Sequence, residues 1–266
     1  MIIFYIGIDK CGSTSIFNIL SKQEWSKDLG GKDTNLLLTD KNDSREITSN
    51  INKLKTLSKG SIFIEYSHDY WLSNVVAEII KNEFQDAYVI CSIRDPIHRA
   101  VSALKHYKKI GEKGSEKEIL TNCPDIINNS FYEKLEQFLK TSGKLDDCKF
   151  CIINIDSEIT LIEQLRTCFL KFGINQPLKN VDYETFSAKN SKYPFITNLV
   201  RLVSRNVKHV FPVKVYQFLK NKFYKQNFLF TQFEEDFDLQ WREHISNLYG
   251  IKMLSEYNSI LDIKDK

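Results

Sequence analysis

The 266-residue sequence is most informative first for what it lacks. No apolar run approaches the ~18 residues that a membrane-spanning helix needs, so no span is expected. No basic leader with a small-residue cleavage site precedes the first apolar run at Ile2, which points to a cytoplasmic protein. The six cysteines include one C-x-x-C pair, Cys148 and Cys151, but no second pair and no histidines at zinc-finger spacing. A zinc site is therefore not expected, and the cysteines read as reduced, structural residues. The net charge of +3 is too small to imply a nucleic-acid partner. Acidic residues are also missing locally: from Phe186 to Gln232 there is no Asp or Glu, against nine Lys or Arg.

What is present indicates a globular chain with a sizeable core, at 42% hydrophobic and 27% charged residues. Four short apolar runs, residues 2–8, 61–65, 87–93 and 150–155, read as buried parallel strands. Helical patterns at 74–80, 132–139 and 158–172 alternate with them, the last ending at Gly173 as a helix stop should. The alternation predicts an α/β fold with a mainly parallel central sheet flanked by helices. Residues 38–60 are polar and lysine-rich and read as a loop or insertion. The chain reads as a single domain over residues 1–266, with a core at 1–185 and a basic, helical C-terminal extension at 186–266. Phe195, Leu199, Leu202 and Val203 recur there at helical spacing. That basic surface fits either a solvated face or a contact with an anionic partner or a peripheral membrane.

Two motifs carry chemistry. In the first, FYIGIDKCGSTSIFNIL at residues 4–20, a strand leads through a small polar loop into a helix. Gly7 and Gly12 have the spacing of a nucleotide phosphate loop, but Ser13 stands where that loop has its lysine, and a lysine appears earlier, at Lys10. Backbone N–H groups at Gly12, Ser13, Thr14 and Ser15, with three hydroxyls, would converge on an anion at the helix N-terminus. Asp156 follows the fourth strand and reads either as a magnesium carboxylate or, preferably, as a cap of the next helix. In the second motif, VICSIRDPIHRAVSALKHY at residues 89–107, Arg94 ends a strand, Asp95 suits the N-cap and Pro96 the first helical position. Arg99, Ser102 and His106 fall on one helix face. Arg94 and Ser102 suggest a second anion site; the other reading of Arg94 is pairing with a nearby carboxylate.

Together these motifs resemble the PAPS-dependent sulfotransferases. GIDKCGSTS is similar to the 5′-phosphosulfate loop of that family, K-x-G-T-T or K-x-G-T-[ST], and RDPIHRAVSAL to its 3′-phosphate motif, R-[DN]-P-x-x-R-x-x-S. GGKDTNLL at 30–37 resembles the K-E-x-x-F-F segment of the glycan-modifying, heparan-sulfate-type branch, and EYSHDYW at 65–71 its E-K-S-P-x-Y segment. SAKNSKYP at 187–194 resembles the late substrate and nucleotide loop. Ser13 stands for threonine, Asp33 for glutamate and His68 for proline.

The resemblance implies a P-loop sulfotransferase fold. It implies transfer of a sulfuryl group from 3′-phosphoadenosine 5′-phosphosulfate (PAPS) to a hydroxyl or amine, with release of the 3′,5′-bisphosphate (PAP) and no metal requirement. Lys10, Cys11, Gly12, Ser13, Thr14 and Ser15 would hold the phosphosulfate, with Lys10 stabilising the leaving phosphate. Arg94 and Ser102 would hold the 3′-phosphate, and Lys189 and Asn190 would complete the nucleotide site. Asp33 is the candidate general base, with His68 its competitor. A carbohydrate or glycolipid is the implied acceptor. A phosphotransferase using the same loop, and a non-catalytic acidic-glycan-binding protein, are the competing readings.

Overall fold

The structure is a computed structural model that describes residues 1–38, 44–110, 112, 114–179, 190–191, 228–229 and 235–264. Its contacts divide the chain into two compact units, one of Met1–Arg99, Asn129–Thr185 and Tyr249–Lys266, the other of Ala100–Asn128 and Phe186–Leu248.

The first unit is built on a five-stranded parallel sheet in the order β2-β3-β1-β4-β5. The four runs read from the sequence become β1 (Ile2–Tyr5), β3 (Ile62–Tyr66), β4 (Tyr88–Ile93) and β5 (Phe150–Asn154). All four residues of β1 are buried, as a central parallel strand covered on both faces requires. The edge strand β2 (Ser26–Lys27) is two polar residues long and carries no strand signal in the sequence.

Alternating side chains feed two cores. Ile3, Tyr5, Ile64, Ile90 and Ile153 pack with Ile16, Ile19 and Leu20 of α1 (Ser13–Leu20) and with Leu165, Cys168 and Phe169 of α8 (Leu161–Lys171). Phe4, Phe63, Val89, Cys91 and Ile152 pack with Val76, Ala77 and Ile80 of α3 (Asn74–Glu83) and Leu135, Phe138 and Leu139 of α7 (Glu133–Thr141). Tyr257, Ile260 and Ile263 of the C-terminal helix α9 (Glu235–Lys264) join this second core.

Local signals fix the helix starts. Asp95 Oδ1 accepts from Ile97 N and His98 N at 3.0 and 2.9 Å, and so caps α4 (Pro96–Ile110) as its sequence predicts. Thr160 and Glu163 form a capping box at α8, and Gly173 follows that helix at φ 71°, the conformation that favours glycine.

Two expectations are corrected. Residues 44–57, read as loop, form helix α2 (Ser44–Leu57); Ile47, Ile51 and Leu54 recur at helical spacing, but only Leu54 is buried among otherwise polar residues. The cysteines are not all reduced: Cys151 of β5 and Cys168 of α8 form a disulfide across 17 residues, a pairing with no local sequence signal. Cys11, Cys91, Cys123 and Cys148 are free.

The second unit contains the remainder of α4, α5 (Glu116–Asn122), α6 (Asp125–Asn128), the antiparallel pair β6 (Asn190–Ser191) and β7 (Phe228–Leu229), and the first part of α9. Ser115 and Glu118 make a capping box at α5, and Lys108 pairs with Glu116. The basic helices read at 186–225 lie outside the described residues apart from Asn190 and Ser191. No described helix is long and apolar enough to cross a membrane.

In the first unit, Gly7 follows β1 at a close approach. A Cβ there would lie 2.0 Å from Tyr5 Oη and 2.4 Å from Ser92 Oγ, which are hydrogen-bonded to each other at 2.5 Å. Gly7→Ala is expected to force that buried pair apart and cost about 2–4 kcal/mol in denaturant unfolding. A loss below about 1 kcal/mol would show that the neighbours can yield.

Candidate functional site

The carboxyl end of β1 lies between strands reached in opposite directions, since β3 flanks it on one side and β4 on the other. This is the switch point at which open α/β sheets bind ligands. The chain continues as a strand-like segment, with Ile6 N–H donating to Ile90 O at 2.9 Å and Ile8 N–H to Ser92 O at 3.3 Å. It then turns through two left-handed residues, Lys10 at φ 64° and Gly12 at φ 75°, into α1. Gly12 suits this turn doubly: a Cβ there would also lie 2.5 Å from Ile155 Cδ1. The first helical backbone donor is Ile16 N–H, to Gly12 O at 3.1 Å. The N–H groups of Ser13, Thr14 and Ser15 make no hydrogen bond within the described residues and form the donor set of a helix-terminal anion cradle.

Lys32 reaches this cradle. Its Nζ donates to Ser13 Oγ at 3.0 Å and to Thr14 Oγ1 at 3.3 Å. It lies in the segment GGKDTNLL, and the sequence reading passed over it in favour of Asp33. Cys11 contributes only backbone. Its thiol is fully buried 4.0 Å from Tyr132 Oη, and burial pushes its pKa up to about 12.

Arg99, the second arginine of RDPIHRAVS, fixes the loop from beneath. It is 1% exposed, and it donates to Asp9 Oδ1 at 2.6 Å, Asp9 O at 3.3 Å and Ser130 Oγ at 3.1 Å. The sequence reading placed it on a helix face with Ser102 and His106. Its burial and its bond to the loop needed the fold to be seen.

Arg94 stands at the end of β4. Tyr132 Oη donates to Arg94 O at 2.5 Å and accepts from Arg94 N–H at 3.2 Å. Arg94 Nε donates to Asp156 Oδ1 at 3.2 Å, and Asp95 N–H donates to Asp156 Oδ2 at 2.9 Å. Asp156 is therefore not the cap of the following helix, a role Thr160 takes; it orients Arg94. The guanidinium's terminal nitrogens make no hydrogen bond to described residues. Ser102 lies on α4, in the second unit. Asn190 pairs with Leu229 in the β6–β7 ladder, and Lys189 lies outside the described residues.

The rival bases Asp33 and His68 are brought together. The segment carrying Asp33 crosses the end of β3, with Asp33 N–H and Thr34 N–H donating to Tyr66 O at 2.8 and 3.3 Å. Asp33, at φ 59°, places Oδ1 2.5 Å from His68 Nδ1. His68 Nε2 lies 3.1 Å from Asp69 Oδ1, and Lys32 Nζ lies 3.7 Å from Asp33 Oδ2. Burial raises the Asp33 pKa, but the hydrogen bond to His68 and the Lys32 and His68 charges outweigh it and hold the carboxyl below its usual value. Burial lowers the His68 pKa, and the bond to Asp33 with the Asp33 and Asp69 charges reverses this to a net rise. The hydrogen bond thus favours the charged form of each partner, the carboxylate of Asp33 and the imidazolium of His68. No group of three or more His, Cys, Asp or Glu among the described residues is arranged to hold a metal.

Beneath this pair lies Glu65, 1% exposed. Its Oε1 accepts from Thr34 Oγ1 at 2.5 Å, Ser67 Oγ at 2.6 Å and Tyr70 Oη at 3.2 Å. Its Oε2 has no partner within the described residues. Burial, opposed by the three hydroxyls and reinforced by the Asp33 charge, pushes its pKa up to about 7.

A folded pKa above the unfolded value makes the carboxyl a stabilising contribution that is present at low pH. That contribution is lost as pH rises from the unfolded value near 4.5 through about 7. Relative to Glu65→Gln, the wild type is expected to lose on the order of 3 kcal/mol of unfolding free energy between pH 4 and 8. Parallel stability–pH curves for the two proteins would refute a buried, titrating Glu65.

No protein-family model and no curated protein sequence matches the chain. Among solved structures it resembles a sulfotransferase from Alicyclobacillus acidocaldarius with a TM-score of 0.53 and 17% sequence identity, over 69% of this chain and 86% of that one. At this identity the likeness is one of fold alone.

Proposed function

We propose that the chain is a sulfotransferase that moves a sulfuryl group from PAPS to a hydroxyl or amine, with a carbohydrate or glycolipid as acceptor. The observation that carries this reading is a continuous chain of contacts from an anion cradle to a base. Ser13 and Thr14 meet Lys32, Lys32 meets Asp33, and Asp33 meets His68. The likeness of fold supports it, as do the two loop motifs, and the segments at 30–37 and 65–71 favour the glycan branch.

The chemistry follows from that order. The 5′-phosphosulfate is seated on the N–H groups and hydroxyls of Ser13, Thr14 and Ser15, with the N–H of Gly12 and the backbone of Cys11 shaping the loop. The acceptor O–H or N–H faces Asp33, and the Asp33 carboxylate takes its proton as the acceptor atom attacks sulfur. The new bond to sulfur forms as the bond from sulfur to the bridging oxygen breaks. The electron pair of that bond goes to the phosphate oxygen, where Lys10 stabilises the developing charge. The products are the sulfated acceptor and PAP. Arg94, oriented by Asp156, holds the 3′-phosphate and distinguishes this donor from nucleotides without one, and the motif resemblance assigns Ser102 to the same phosphate. The resemblance at 187–194 assigns Lys189 and Asn190 to the nucleotide as well. No step is assigned to a metal.

Arg94→Ala is expected to weaken PAP binding by roughly 1.5–3 kcal/mol in calorimetry, the size of a charge-assisted hydrogen bond, and to leave adenosine 5′-phosphosulfate binding nearly unchanged. Equal losses for both ligands would remove Arg94 from the 3′-phosphate.

Lys10→Ala is expected to lower turnover by about 100-fold or more while PAP binding weakens less. Near-normal turnover would remove Lys10 from the leaving phosphate. Asp33→Asn is expected to keep PAP affinity and cut turnover by roughly 10²–10⁴-fold. A larger loss in His68→Ala than in Asp33→Asn would transfer the proton-accepting role to His68.

A further inference from the structure

Glu65 is a buried carboxyl that the proposed chemistry leaves without a role. Each of its three hydroxyl donors also belongs to the segment that carries Lys32 and Asp33, or binds that segment. Thr34 is part of the segment, and its Oγ1 bonds Glu65 at 2.5 Å. Ser67 Oγ donates to Glu65 and accepts from Asn35 N–H at 2.8 Å. Tyr70 Oη donates to Glu65 and accepts from Leu37 N–H at 2.9 Å. Three successive attachment points, at Thr34, Asn35 and Leu37, thus converge through hydroxyls on one carboxylate oxygen.

Asp33 and Asn35 both sit in the left-handed region, at φ 59° and 48°, which Asp and Asn enter more readily than other non-glycine residues, and the hydrogen bonds of the segment select that conformation. An apolar residue in place of Glu65 would fill the space but leave the buried hydroxyls of Ser67 and Tyr70, and the half-buried one of Thr34, without this acceptor. A carboxylate satisfies all three and sets their directions, and through them the positions of the Asn35 and Leu37 amides.

We propose that Glu65 is the positioning residue of the base segment: through Thr34, Ser67 and Tyr70 it locks residues 33–37 so that Asp33 stands against His68. Glu65 does not touch the reacting atoms. Its effect on turnover rests on Asp33 being the base, as proposed above; its effect on the segment does not. A residue retained at a cost to stability above neutral pH, as the titration of Glu65 implies, is consistent with this use.

Amide hydrogen exchange tests the lock directly, with Glu65→Met removing every acceptor and Glu65→Gln keeping one. In Glu65→Met, exchange at Asn35 and Leu37 is expected to speed up by at least ~10-fold, while Ile6 and Ile8, bonded across the sheet to Ile90 and Ser92, keep their protection. Glu65→Gln is expected to fall between Glu65→Met and the wild type. Turnover is expected to fall by ~10–100-fold in Glu65→Met, with the PAP dissociation constant within about twofold of wild type, as misplacement of a base predicts. Unchanged exchange at Asn35 and Leu37 would overturn the proposal. So would equal loss of protection at Ile6 and Ile8, which would make Glu65 a general core residue; unchanged turnover with faster exchange at Asn35 and Leu37 would uphold the lock and remove Asp33 from the base role. If the wild type binds no PAP, the donor assignment fails, and the exchange pattern still decides whether Glu65 locks the segment.

Discussion

The buried guanidinium of Arg99 is the charge on which the anion cradle rests. It is almost fully removed from water, and a cation there is costly unless it is paired and hydrogen-bonded. Asp9 supplies both a carboxylate oxygen and a carbonyl, and Ser130 a hydroxyl. That demand fixes the backbone at residue 9, immediately before the left-handed turn through Lys10 and Gly12. The turn releases the amides of Ser13, Thr14 and Ser15 from internal pairing. Removing one partner of such a pair leaves the other charge uncompensated, so the loop geometry and the stability of the first unit are tied together at Asp9 and Arg99.

A second polar centre works in the same way on the other side of the cradle. Glu65 gathers three hydroxyls, and these hold the chain that presents Lys32 and Asp33. Arg99 and Glu65 are both buried, and both act on loops at the carboxyl ends of β1 and β3. The exposed chemistry, Lys32 over the hydroxyls and Asp33 against His68, is mounted on them. A site whose exposed groups are set by buried polar contacts is pre-organised, as the proposed sulfuryl transfer would require.

The sheet was legible in the sequence where runs are mostly apolar, as in IIFYIGI and YVICSI, because a parallel strand buried on both faces has no alternation to disguise it. The two-residue edge strand Ser26–Lys27 and the polar helix Ser44–Leu57 were not, since neither buries enough to leave a pattern. Asp95 and Pro96 announced their helix through local chemistry alone. At the site, Asp33 and His68 could each be picked out by type, but their bond joins residues 35 apart and exists only because β3 delivers His68 beside the crossing segment. Lys32, Arg99 and Glu65 were each within stretches quoted for the resemblance. What singles them out is burial and direction, which a string of residue types does not carry.

The central claim is that this cradle and this base serve sulfuryl transfer from PAPS. Incubating the protein with PAPS and a panel of glycan and glycolipid acceptors, and following nucleotide and acceptor together by mass spectrometry, tests it most directly. The account predicts that one acceptor gains a single sulfuryl group, in an amount equal to the PAP released. Release of PAP with no sulfated acceptor, or modification of an acceptor by a phosphoryl group when ATP and magnesium are supplied instead, would contradict it.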